Sequence, residues 1–346
     1  MISSAAKTLT LTDFQSDCRA LYACRMSFAK FAEEKIPEIS AIQDAFAVRA
    51  HAIQPNAGTG AFSALTDEQK SAELQESQTR QSKQETHEET GEAALPGKLP
   101  SENLLPERIT SEKLMFENLL PENLPAFAEK IEELHRKSAD SPAVFELIGT
   151  HCKIVAEMTL FVCKNYACKN CDCKSSVCRN VSDSKVSAKN VNAALAFAGA
   201  LAHDIGAYEL VRGEGTDEDP IRYEKNYVRH GILGYNLLKN AGFDEQIALF
   251  ARNHTGVGLT KKAIEAQNIP IPSDDYVPVT REQQIVMFCD KFHTKSLPPK
   301  FVTAKTAVRR CAKFSEKDAQ KMSKLVEIYG EPPVEALARK YSMTII

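Results

Sequence analysis

The chain has 346 residues, room for two domains of the usual ~100–200 residues each, and its 43% apolar and 26% charged composition is that of a soluble globular protein. A net charge of −3 supplies no basic field of the kind that holds a nucleic-acid backbone, so bulk nucleic-acid binding is excluded. No stretch approaches the ~18 apolar residues of a membrane span, and the opening MISSAAKTLTLTDFQSDCR lacks the basic and apolar regions of a secretory signal; a cytoplasmic protein with reduced thiols is expected.

In chain order, Phe14, Leu21, Phe28 and Phe31 recur at roughly helical intervals after a possible cap at Thr12, which predicts a short helical region within residues 1–64. From Leu65 the sequence turns to TDEQKSAELQESQTRQSKQETHEETGEAALPGKL, too poor in aromatic and β-branched residues to offset its ordering entropy. A disordered linker is expected over 65–126, including a small echo, SENLLPE at Ser101–Glu107 and FENLLPENLP at Phe116–Pro125. The N-terminal extension is therefore expected to be poorly ordered, only partly helical and dispensable for folding.

From about Phe127 the periodicity is helical to near residue 346, with no alternating run of strand type, so residues 127–346 read as one all-α domain. NAALAFAGALA at Asn192–Ala202 is apolar on every side and predicts a central helix. A helix from His230 should close at Asn240-Ala-Gly242, where Gly supplies a left-handed terminator. Thr280 and Gln283 form a Thr-x-x-Gln capping pattern ahead of a helix that buries Ile285, Cys289 and Phe292. The last helices are Glu316–Tyr329 and, after Pro332-Pro333, Val334–Tyr341.

The chemistry centres on His203-Asp204 in AGALAHDIGAYEL, at the end of the Ala-rich helix. A neutral imidazole and a carboxylate there can turn into one cleft, the carboxylate offering two oxygens able to bridge metals. A buried polar pair at the end of a core helix needs partners. The candidates are His151, which opens a helix in GTHCKIVAEMTLFV, His230 in VRHGILGYNLL, His254 in ARNHTGVGLT and Asp290 in IVMFCDKF. In this order, H, HD, H, H, D, the residues resemble the HD superfamily of metal-dependent phosphohydrolases, in particular its small single-domain members with an HDIG sequence. The likeness covers about Pro142–Tyr329 apart from an insertion, and HGILGYNLL, NHTGVGLT, IPIPSDDYVPVT and EQQIVMFCDKF carry it beyond the ligands.

The resemblance implies an HD-domain helical bundle in which His151, His203, Asp204 and Asp290 bind one divalent ion and Asp204 bridges to a second held by His230 and His254. It implies hydrolysis of a phosphate ester or anhydride of a small molecule, a nucleotide by preference, with a metal-bound hydroxide as nucleophile. Imidazole and carboxylate ligands suit Fe, Mn, Zn, Co or Ni without choosing among them. Lys291, beside Asp290, is the leading phosphate-binding cation, with Arg229, Arg252, Lys261 and Lys262 as weaker candidates against a solvated helix face. Asn253 stands where many relatives carry another ligand-type residue. His293 is a bystander at the surface or behind the ligands, and His51, His87 and His135 are placed outside the domain and given no role. The alternative is a catalytically silent metal-binding regulatory module, which would be expected to have lost a ligand.

Between the first two helices of the domain, residues 163–190 form an insertion relative to the family. It contains CKNYACKNCDCKSSVC, with Cys163, Cys168, Cys171, Cys173 and Cys178. Cys168, Cys171, Cys173 and Cys178 could make a second, soft-metal site of the tetrahedral zinc kind. The C-x4-C-x2-C spacing of Cys163, Cys168 and Cys171 also matches plant-type iron–sulfur proteins, but the helical flanks and the lack of a matching distant cysteine weigh against that. A polar loop of reduced thiols or a redox sensor are the other readings.

Overall fold

A computed structural model describes residues 26–52, 119–169 and 191–346. These residues form one compact, all-α unit of eleven helices, with four two-residue strands at its periphery. The helices are α1 (Phe28–Ala52), α2 (Leu124–Ser138), α3 (Pro142–Lys169), α4 (Ala193–Ala202), α5 (His230–Asn240), α6 (Glu245–Asn253), α7 (Lys261–Gln267), α8 (Arg281–Asp290), α9 (Ala304–Ala312), α10 (Glu316–Tyr329) and α11 (Val334–Tyr341). Strands β1 (Val211–Arg212) and β2 (Arg222–Tyr223) pair antiparallel, while β3 (Lys300–Phe301) and β4 (Thr344–Ile345) pair parallel.

All ten residues of α4 are buried, as expected of a helix with no polar face, and α2, α3, α6 and α8 pack around it. Asn192 caps α4 by accepting from the Leu195 amide at 2.9 Å. Thr280 caps α8 in the same way, but the predicted box closes differently. Gln283 Oε1 accepts from the Val279 amide at 3.1 Å rather than from Thr280. Helix α5 ends where expected, and Gly242 takes a positive φ of 81°. Just after His203-Asp204, Gly206 lies against α5 so closely that a Cβ there would come within 2.1 Å of the His230 carbonyl oxygen and 2.2 Å of the Gly234 nitrogen. The glycine of the HDIG segment is thus what lets the turn after α4 meet the helix that carries His230.

Three expectations need correction. Part of the N-terminal region joins the domain: within residues 26–52, α1 is one 25-residue helix that places Phe28, Phe31, Ile39 and Ile42 in the common core. The Phe28 amide donates to Glu132 at 2.7 Å, and the buried Lys153 ammonium donates to the Met26 carbonyl at 2.9 Å. The expected linker also ends early, because Leu119 and Leu124 are already buried and a one-turn 3-10 helix at Pro121–Asn123 leads into α2. Finally, His135 belongs to the core of the domain. It is fully buried on α2, 2.9 Å from both the Tyr208 hydroxyl and the Leu201 carbonyl. Burial lowers its pKa to about 3. The four residues of the proposed soft-metal site fall on or beside the insertion: Cys171, Cys173 and Cys178, like His87, lie outside the described residues, and so do the side chains of Cys168 and His51.

Candidate metal centre

Helix ends deliver most of the centre. His203 follows the last residue of α4, His230 is the first of α5, His254 follows the last of α6, and Asp290 is the last of α8. His151 is the exception: it lies well inside the 28-residue α3 rather than opening a helix. All six expected ligand residues are buried and converge on one point.

The geometry has two lobes that share Asp204. In the first, His151 Nε2 lies 3.0 Å from Asp290 Oδ1, 3.3 Å from His203 Nε2 and 3.6 Å from Asp204 Oδ2, and His203 Nε2 lies 3.5 Å from Asp290 Oδ1. In the second, the Nε2 atoms of His230 and His254 are 2.9 Å apart and lie 3.6 and 3.7 Å from Asp204 Oδ1. Donor atoms of His151, His203 and Asp204 fall within 4.8 Å of one another, and so do those of Asp204, His230 and His254.

Both Asp204 oxygens are fully buried; Oδ1 faces imidazole nitrogens at 3.6 and 3.7 Å, and Oδ2 is paired with the Lys295 ammonium at 2.6 Å. Such groups are costly unless something satisfies them. A buried carboxylate flanked on each side by imidazole nitrogens is a donor set that fits divalent cations. Three imidazoles are turned by their own helices, since Nδ1 of His203, His230 and His254 lies 2.7, 2.6 and 2.7 Å from the carbonyls of Ala200, Tyr227 and Ala251. Each carbonyl sits three residues upstream in the chain.

Three of the four histidines are held in the neutral form that ligation needs, and His203 is held charged by the carboxylate beside it. Burial lowers the pKa of His151 to about 4, with Lys295 adding to the effect, and that of His230 to about 3, with His254 adding to it. His254 is lowered by burial too. His203 is raised to about 10, because burial is outweighed by its hydrogen bonds, that to Asp290 foremost. Burial works against the charged forms of both carboxylates. Nearby ammonium groups nevertheless hold them well below the usual range, chiefly Lys295 for Asp204 and Lys291 with Lys295 for Asp290.

Lys291 is at the site: its Nζ lies 2.6 Å from Asp290 Oδ2 and donates to the His254 carbonyl at 3.2 Å. The weaker cation candidates are not. Arg229, Lys261 and Lys262 are exposed, and Arg252 is tied to Asp274, the Asp275 carbonyl and the Tyr276 ring. Asn253 donates to Gln283 at 3.2 Å and stands among polar side chains rather than at the centre. His293 stands behind His151, with the two Nδ1 atoms 2.9 Å apart.

Lys295 carries no recognisable signal in the sequence. Its Nζ lies 2.6 Å from Asp204 Oδ2 and 3.9 Å from Asp290 Oδ1, above the Tyr227 ring, and the Tyr223 hydroxyl donates to its carbonyl. A lysine five residues past a ligand has no motif value, and only the turn after α8 brings it back to the carboxylates. A cavity of about 710 Å³ opens beside the centre and reaches His230, Asp290, Lys291 and Lys295. Its wall is apolar, with Val257, Leu259, Ile269 and Pro270, and the exposed Phe314 and the cation of Arg310 also line it.

Comparison with known proteins agrees with this geometry. Residues 148–295 match the family model described as HD domain, so this segment is an HD domain of the metal-dependent phosphohydrolase type. The chain is 35% identical over 89 residues to an uncharacterized protein of Methanocaldococcus jannaschii, a match that covers 25% of this chain and 52% of that protein. It is 38% identical over 96 residues to a tRNA (cytidine(56)-2'-O)-methyltransferase of Picrophilus torridus, covering 28% of this chain and 23% of that protein. The chain thus spans about half of the first relative and about a quarter of the second. No solved structure matches it, and no helix among the described residues is long and apolar enough to cross a membrane.

Proposed function

We propose that this HD domain hydrolyses a phosphate ester or anhydride of a small molecule, a nucleotide by preference, using two divalent ions. The observation that carries the reading is Asp204: a fully buried carboxylate whose Oδ1 faces only the imidazole nitrogens of His230 and His254, and whose Oδ2, paired with Lys295, faces His151. His151, His203, Asp204 and Asp290 would hold one ion, and Asp204, His230 and His254 the other. Bound divalent ions supply a lowered water pKa and neutralise charge on phosphoryl oxygens.

The protein's own part is positioning and charge. Its cavity of about 710 Å³ is far larger than a phosphate group alone and suits an organic body beside it. Lys291 and Lys295 place two ammonium groups where that cavity meets the ligand carboxylates, and these bind the substrate's phosphoryl oxygens. Val257, Leu259, Ile269 and Phe314 offer the apolar and aromatic surface against which a nucleobase packs.

The test is elemental analysis of the purified protein, then hydrolysis of a nucleotide and phosphoester panel with the metals found. We expect about two equivalents of metal, and phosphate release from at least one nucleotide that Lys295→Ala slows or that then requires more substrate. Stoichiometric metal with no turnover across the panel would favour a silent metal-binding module, and a metal-free protein that cannot be reloaded would end the reading.

A further inference from the structure

One ligand imidazole is oriented unlike the other three. A metal-binding Nε2 must keep its lone pair, so the ring proton has to sit on Nδ1 and needs an acceptor there. For His203, His230 and His254 that acceptor is a backbone carbonyl, which can only accept and so fixes the tautomer outright. His151 lies in mid-helix, where the carbonyls upstream are engaged in the α3 hydrogen-bond ladder. Its Nδ1 faces His293 Nδ1 at 2.9 Å instead, and an imidazole nitrogen either donates or accepts.

What sets the choice lies one step further out. His293 Nε2 is 3.2 Å from Met343 Sδ, and a thioether sulfur accepts but has no proton to give. The partnership is built by the fold: His293 bridges to Phe301 of β3, and β4 runs parallel to β3 directly after Met343. With its proton on Nε2, directed at the sulfur, His293 presents a bare Nδ1 to His151. From this we infer that His293, set by Met343, is a positioning residue that commits the His151 proton to Nδ1 and leaves Nε2 free for a metal.

The competing arrangement is visible in the same site. Asp290 Oδ1 lies 3.0 Å from His151 Nε2 and would hold the proton there if nothing on the other side accepted it. His293 therefore opposes a proton trap that consumes the ligating lone pair. The buried ring of His293, stacked 5.2 Å from that of His151, leaves little room for the pair to part.

The inference rests on the metal reading for its purpose, not for its first test. In ion-free protein, nitrogen-15 spectra of the imidazoles report the tautomer directly. We expect His151 protonated on Nδ1 in the wild type and in His293→Asn, whose amide oxygen can replace the accepting nitrogen. In His293→Phe, which keeps the bulk but accepts nothing, the proton should move to Nε2. The same tautomer in wild type and His293→Phe, or Nε2 protonation in the wild type, would overturn the inference even if the protein binds no metal. In metal titrations of folded variants, His293→Phe should lose about 10–100-fold in affinity at the first lobe, while His293→Asn stays within a few-fold of the wild type. Equal losses in both variants would reduce His293 to packing and defeat the proposal.

Discussion

His230 and His254 are 24 positions apart in the chain, each at a helix end and each turned by its own upstream carbonyl. His151 and Asp290 are 139 positions apart, and His151 depends on a second histidine and a sulfur for its orientation. One lobe of the centre is therefore set by local backbone geometry. The other is assembled by tertiary packing, with Asp204 common to both. The lesson is that ligands equal in chemistry can differ in what keeps them in place. Loss of packing should then injure one lobe before the other.

The broadest test of that division is Asp204→Asn. A neutral amide is a poor bridge between two dications, so metal content should fall toward zero and hydrolysis by at least about 1000-fold, as expected when a charge-stabilising group is lost from a reacting centre. Retention of one full equivalent of metal would show that the lobes do not share this residue. His230→Ala and His254→Ala sharpen the comparison, because each should empty the second lobe alone, leaving about one ion and little turnover. One equivalent in the wild type, unchanged in both variants, would defeat the two-ion arrangement and leave the HD domain standing.

Packing is probed by removing residues 1–52. This strips Phe28, Phe31, Ile39 and Ile42 from the core and deprives Lys153, two positions from His151, of the Met26 carbonyl. At about 1.5–3 kcal/mol per large buried apolar side chain, these four represent about 6–12 kcal/mol of burial, and its loss should be seen as a lower melting temperature. Metal should become weaker at the first lobe than at the second. An unchanged melt, or equal weakening of both lobes, would contradict the packing account.

The smallest effect concerns His135, which supports the end of α4 through the Leu201 carbonyl. Its folded pKa of about 3 lies below the ordinary 6.5. The unfolded chain therefore binds the extra proton, and this contribution to stability is complete above about pH 6.5 and lost as pH falls toward 3. The slope is at most about 1.4 kcal/mol per pH unit. Denaturant unfolding from pH 6 to 4 should be less pH-dependent in His135→Asn, and an identical slope would show that the histidine is not held neutral.

The same contrast explains what the sequence disclosed. Helices that begin and end on recognisable punctuation, such as His230–Asn240 and Glu316–Tyr329, were legible to the residue, and so were the six residues that converge on one point, four of them inside longer segments that resemble the family. Lys295 and the role of His293 were not, because each acts on a residue distant in the chain. The core position of α1 was hidden for a similar reason: its apolar residues are matched by surfaces on α2 and α3 that lie beyond a polar stretch of different composition. His135 was passed over because nothing near it in sequence announces Tyr208 or Leu201.

The unequal spans of the two lobes also set an order in time. Bringing together chain ends 139 residues apart costs more configurational entropy than closing 24, by about 1.6 kcal/mol on a flexible-chain scale. The His230–His254 pair can form inside a short folding segment, whereas the His151–Asp290 contact waits until α8 docks on α3 and α4. A growing or refolding chain thus acquires the second lobe first, and the arrival of Asp290 marks the point at which the whole domain has closed.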